Sequence, residues 1–219
     1  MLFCLVKVFE QECHAEKFRK GTLFARKLSH FRELEQGSRG DPTEGTIWHH
    51  QPDQIIVEIN GIRLDGLIGP VRMASNAALD LNVFCMTALH NEDVEYPIDP
   101  TVLQDRIIQP QGYLKFGRFA VLVVDVGKFL ERVDKAARAH GYRFGGNLVK
   151  YYDPGIFNGR FDDPAHRKPI QFADEREYRL VFQTDAEGPL ELEIGDIRDI
   201  TISMQSSEIT KNTRITGKD

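Results

Sequence analysis

The chain has 219 residues, of which 41 % are apolar and 28 % charged, and its formal net charge is −5. That length is enough to bury a substantial core in one large domain or two small ones. The acidic balance excludes a global basic field for nucleic acid, leaving only a local basic stretch over residues 17–39, with Lys17, Arg19, Lys20, Arg26, Lys27, Arg32 and Arg39. The cysteines Cys4, Cys13 and Cys85 are odd in number and form no metal-ligand spacing, so reduced thiols in a cytoplasmic protein are expected and no metal is. The apolar opening Met1–Val6 lacks a basic n-region, and no run of about 18 apolar residues occurs, so neither a signal peptide nor a membrane association is expected.

Residues 2–9 predict a strand interrupted only by Lys7, and residues 11–20 a short helix stopped at Gly21. Thr22–Leu28 predicts a second strand, and residues 36–46 a loop, with three glycines and a proline. Asn60-Gly61 between apolar alternations predicts a hairpin joining 54–59 to 61–67. Residues 81–87 read as a short buried strand, and the nearly continuous apolar run 119–126 as a central strand covered on both faces. Residues 128–140 predict a helix with Phe129, Leu130, Val133 and Ala137 in one stripe. Residues 147–152 predict a strand and 155–170 a loop; 176–183, 189–194 and 198–204 predict three further strands. The expectation is a single α+β domain over 1–205, a mostly antiparallel split sheet with two to three helices, and a polar flexible tail over 206–219.

The segment Glu175-Arg176-Glu177-Tyr178-Arg179 carries the densest charge on a predicted strand. Period-two alternation puts Glu175, Glu177 and Arg179 on one face and Tyr178, Leu180 and Phe182 on the other, the core face. Two close carboxylates suit a site that stabilises a developing cation; the alternative is a solvated strand face with a Glu177–Arg179 charge pair. Lys7 either snorkels at a sheet edge or points into a polar cleft shared with the acidic face. Asp41, before Pro42 and near Glu44, marks a loop that forms either a functional rim or a surface turn. Adjacent strand histidines such as His49 and His50 make a poor metal pair, and Cys85 has no neighbouring base to support a thiolate. No P-loop, Gly-x-Gly-x-x-Gly, His-Glu-x-x-His or Gly-x-Ser-x-Gly occurs.

The ordered series Leu5-Val6-Lys7-Val8-Phe9, Gly21-Thr22-Leu23-Phe24, Asp41-Pro42 with Glu44, Phe84-Cys85-Met86-Thr87, Val149-Lys150-Tyr151 and Glu175 to Arg179 resembles a widespread bacterial and phage domain family of unknown function. The layout is also similar to the ADP-ribosyltransferase superfamily. That resemblance implies cleavage of NAD, as substrate, through an oxocarbenium-like state, and transfer of ADP-ribose to a protein or nucleic-acid acceptor, in the setting of phage–host conflict. It implies that Glu177 stabilises the cation and Glu175 orients the acceptor. It further implies that Thr87 supports the nicotinamide and that Lys7 replaces the early-strand Arg or His, with Arg179 and Asp41 as further NAD-binding candidates. Cys85-Met86-Thr87 departs from the Ser-Thr-Ser type of triplet found there, and Lys7 from the expected residue. The alternative expectation is a non-catalytic binding or regulatory domain of the same fold. A nucleic-acid partner of the 17–39 stretch is a third.

Overall fold

The computed structural model describes residues 2–34, 40–91, 99–108 and 111–214. Residues 36–39 of the predicted loop, Arg39 of the basic stretch among them, and residues 215–219 of the tail lie outside the described residues. In chain order come β1 (Leu2–Phe9), α1 (Glu12–Arg19), β2 (Thr22–Lys27) and α2 (Leu28–Glu33). They are followed by β3 (Thr46–His50), β4 (Val57–Ile59), β5 (Ile62–Leu64), β6 (Val71–Ala74) and α3 (Asn76–Leu79). The middle of the chain forms β7 (Asn82–His90), α4 (Pro100–Ile108), β8 (Phe119–Val123) and α5 (Val126–Ala139). The remainder forms β9 (Arg143–Leu148), β10 (Lys150–Tyr152), β11 (Gly159–Arg160), β12 (Arg167–Pro169), β13 (Glu177–Gln183), β14 (Leu190–Glu193), β15 (Thr201–Gln205) and α6 (Ile209–Asn212). The class is α+β, with mostly antiparallel sheets.

The chain divides into two compact units that interleave in sequence: Met1–Arg26, Asn82–Leu148 and Asp174–Asp219 form the first, Lys27–Leu81 and Val149–Ala173 the second.

The first unit is built on a sheet in the order β14-β2-β7-β1-β8-β15, with β13 added to β7 and β9 to β13. Thr87 of β7 is paired on both edges, to Val6 of β1 and to Glu177 of β13. Asn82, at the other end of β7, donates its side-chain N–H to the Ala25 carbonyl of β2 at 3.5 Å. A strand has two edges, and β13 occupies one of them from Asn82 to Thr87, so β1 and β2 share the other in succession and the sheet is split. Alternation along the central strands feeds two cores. Leu5, Val121, Val123, Phe84, Met86, Tyr178, Leu180 and Phe182 belong to one, closed by Ala15 and Phe18 of α1 and by Phe129, Val133 and Ala137 of α5. Cys4, Val6, Val8, Ala120, Leu122 and Leu89 belong to the second, with Ile108 of α4, Tyr113 and Ile209 of α6. Each fully buried Val, Leu, Ile, Phe or Met among them stabilises by about 1.5–3 kcal/mol, and the double use of β1 and β8 explains why both are apolar on both faces but for Lys7. Helix α5 starts where the Asp125 carboxylate accepts the Lys128 N–H at 3.0 Å, and ends before Gly141 at φ 73°.

The strand predicted over 147–152 divides at Val149: β9 pairs with β13, whereas β10 pairs in parallel with β12. The predicted loop over 155–170 contains the short strands β11 and β12. Lys7 pairs with Val121 of β8 and lies one residue past Val6, the last β1 residue paired to β7, so it sits where the sheet splits.

The second unit holds the three-stranded sheet β11-β3-β6, the pair β10-β12 and the hairpin β4-β5. Asn60 at φ 53° and Gly61 at φ 78° form the hairpin turn that the Asn-Gly pair predicts. His49, fully buried, packs edge-on against Tyr152 and Phe157 and shares a bond of 2.9 Å with the Pro154 carbonyl oxygen. Its pKa is lowered chiefly by burial.

Candidate functional site

The register of the first unit brings four side chains together on the face of the second core. Glu177 pairs with Thr87 and Arg179 with Cys85, and cross-strand partners point the same way. Thr87, Glu177 and Arg179 are buried. Arg179 donates from Nε to Glu177 Oε1 at 2.7 Å and from Nη2 to Oε2 at 3.3 Å, a two-point clamp between neighbours on one strand. Tyr178, Leu180 and Phe182 face the first core, as alternation predicts.

Glu175 does not follow that alternation. It ends a 3-10 segment, Ile170–Glu175, and Arg176 turns left-handed at φ 45°, so the strand begins only at Glu177. Glu175 is nevertheless buried, and the Lys115 ammonium lies 2.9 Å from its Oε1 and 3.7 Å from Asp174 Oδ1.

Lys7 pairs with Val121, a member of the first core, so its side chain leaves the sheet on the face opposite Thr87 and Glu177. Its ammonium sits 4.4 Å from the centroid of the Phe84 ring and donates to the Cys85 carbonyl oxygen at 2.6 Å, just past the last β1 residue paired to β7. The expected cleft shared by Lys7 and the acidic face is therefore not formed by the strand faces. On that face β1 presents Cys4, Val6 and Val8 instead.

Burial raises the pKa of the Cys85 thiol most, and the Glu177 carboxylate raises it further, against the opposing charges of Arg179 and Lys7. Burial likewise pushes Cys4 up to about 12.

Sequence reasoning overlooked Lys115. It lies in the 3-10 turn Gly112–Phe116, and glycines bracket it for a physical reason. A Cβ on Gly112 would meet the Asp174 carbonyl oxygen at 2.4 Å, and one on Gly117, at φ 142°, would meet the Phe9 carbonyl oxygen at 2.3 Å. These close approaches set the turn against the segment carrying Glu175; two glycines around Tyr-Leu-Lys-Phe were the available signal. Lys115 also lines an open cleft of about 580 Å³ with Arg118, Ser206, Ser207 and Glu10. Arg118 makes no side-chain hydrogen bond or ion pair within the described residues. Ser206 Oγ donates to the Gly117 carbonyl oxygen at 2.8 Å.

Asp41 belongs to the second unit and is 1 % exposed, as is Glu44. Asp41 Oδ1 accepts from the Thr43 N–H at 2.8 Å and from the Thr43 hydroxyl at 2.6 Å, which pins the Asp41–Glu44 turn. The Tyr152 phenol feels Asp41 and Glu44; burial raises its pKa most, and their charges add to that. The Asp41 and Glu44 side chains are buried at this turn, while Pro42 between them is exposed. No group of three or more His, Cys, Asp or Glu able to hold a metal occurs among the described residues.

No protein-family model, curated protein or solved structure matches this chain.

Proposed function

We propose that the first unit is a non-catalytic binding domain for a phosphate-bearing ligand of the nucleotide class, NAD included. The observation that carries this reading is Arg118, which makes no side-chain bond within the described residues, beside the Glu175-paired Lys115 on a cleft of about 580 Å³ that Glu10 also lines, within the roughly 300–1,000 Å³ range of small-molecule sites. Lys115 connects that cleft to buried Glu175, two residues from the Glu177–Arg179 clamp. The clamp argues against transfer chemistry at Glu177. A carboxylate stabilises an oxocarbenium best when its charge is uncompensated, and here Arg179 meets both oxygens.

A second reading, ADP-ribosyltransferase-like chemistry on NAD, is favoured by one observation: Glu177 sits directly beside Thr87 in a split sheet, the pair that the resemblance assigns to the nicotinamide end. It lacks the early-strand cation on that face, because Lys7 projects from the other.

Calorimetric titration of the full chain with NAD, ADP-ribose and pyrophosphate tests the first reading. Saturable binding that weakens at least about tenfold, roughly 1.4 kcal/mol, in Lys115→Ala with Arg118→Ala is expected. Binding unchanged by that double substitution overturns the cleft assignment.

A further inference from the structure

The three-stranded sheet β11-β3-β6 of the second unit buries one face and exposes the other. Residues paired across it share a face and successive pairs alternate. His49 is paired with Arg72 and Gly159, and its ring is the buried one that packs on Tyr152 and Phe157. The neighbouring pairs, Trp48 with Met73 and Arg160, and His50 with Val71, therefore face the other way. There Met73 is 56 % exposed, Arg160 is exposed, and Trp48 and His50 are partly so. The His50 imidazole stacks on the Trp48 indole with centroids 5.3 Å apart and planes 22° apart, and the Arg160 guanidinium lies 5.7 Å from the Trp48 ring centroid. Asn158 Oδ1 accepts the Gln51 N–H at 3.0 Å, so His50 Nδ1, 3.2 Å from that oxygen, is a donor. The neutral ring then keeps its lone pair on Nε2. Neither the Trp48 indole N–H nor the Arg160 guanidinium makes a hydrogen bond or ion pair within the described residues, and neither is enclosed.

We propose that this face is a binding site for a mononucleotide, its base stacked on Trp48 and its phosphate held by Arg160. The two halves of that ligand are matched separately. Base stacking needs an aromatic ring presented to solvent on a fixed element, and strand β3 supplies one; the indole N–H and His50 Nε2 add one donor and one acceptor for a base edge. Arg160 is the one Lys, Arg, Asp or Glu that these three strands turn to this face, and a guanidinium without an ion pair can grip a phosphate at two points. One such cation on a chain of net charge −5 fits a single nucleotide and not the long phosphate run of a nucleic-acid strand. Val71 and Met73 are the aliphatic groups that the strand pairing sets beside the stack, too few for a protein partner or a lipid surface. The site belongs to the other unit from the Lys115–Arg118 cleft and stands independently of the reading given to that cleft.

Trp48 is the only tryptophan of the chain, so its selectively excited emission reports this face alone. Titration of the full chain with AMP is expected to quench that emission saturably, with a dissociation constant of about 1 mM or tighter. Adenosine, which lacks the phosphate, is expected to bind about tenfold more weakly. Arg160→Ala, at an exposed position, should keep the wild-type melting temperature, bring AMP down to the adenosine level and leave adenosine unchanged. Lys115→Ala with Arg118→Ala should leave the AMP response at its wild-type value; loss of the response there would move the ligand to the cleft and overturn this site. Quenching that rises without saturating, or that saturates equally in Arg160→Ala, also overturns it. An oligoadenylate that binds more than about tenfold tighter than AMP overturns the mononucleotide in favour of a strand.

Discussion

Glu177→Gln should destabilise the protein far more than an ordinary surface change. Side-chain exposure is 6 % for Glu177 and 2 % for Arg179, so removing the carboxylate charge leaves a guanidinium in a poorly solvated place. Breaking one half of such a pair costs about 3–5 kcal/mol, whereas replacing both halves with neutral groups is often close to neutral. For a chain of this length each kcal/mol moves the midpoint by about 2–4 °C, so Glu177→Gln should lower Tm by roughly 6–20 °C. Arg179→Met should cost a similar amount, and the double variant should recover at least about 2 kcal/mol relative to the sum of the singles. Urea denaturation of the four proteins, followed by circular dichroism, measures the cycle. Additive single effects, or a Glu177→Gln penalty below about 0.5 kcal/mol, the size of a surface change, would refute the clamp as described.

Gly21→Ala should cost about 3 kcal/mol or more, since Gly21 adopts φ 107° and an added Cβ would lie 2.1 Å from the Gly195 carbonyl oxygen; denaturation within 0.5 kcal/mol of wild type would contradict that packing. Thiol titration of the folded chain at pH 8 should label exposed Cys13 quickly and spare Cys4 and Cys85 until unfolding. Because the Cys4 pKa rises from 9.0 to about 12 on folding, its contribution to stability is complete below about pH 9 and lost as pH climbs toward 12. Cys4→Ala should flatten that alkaline loss, and an unchanged alkaline profile would contradict burial as its cause.

The elements that were legible in the sequence are those whose pattern is local. β1, but for Lys7, and β8 show apolar runs because both faces are buried, α5 shows its stripe, and Asn60-Gly61 fixes a turn by its own backbone preference. β9 was hidden because Arg-Phe-Gly-Gly-Asn-Leu is glycine-rich and largely exposed; at Gly146 an added Cβ would meet the Tyr178 hydroxyl at 2.6 Å. Glu175 was assigned to the strand face because nothing marks Arg176, a residue with a Cβ, for a left-handed turn. The face of Lys7 depends on register across three strands, which is set by non-local packing and cannot be counted along one segment. Glu177, Arg179 and Thr87 do meet, because alternation within β13 and β7 is local and a single pairing joins them.

The proposed function of the cleft that holds Lys115 and Arg118 is binding of a phosphate-bearing ligand without turnover. Titrating the full chain with NAD while assaying free nicotinamide in the same sample tests it most directly. Saturable binding that weakens as salt rises is expected, with nicotinamide release no faster than in buffer. Nicotinamide released by wild type and abolished in Glu177→Gln that remains folded, or no binding of NAD, ADP-ribose or pyrophosphate, would contradict it.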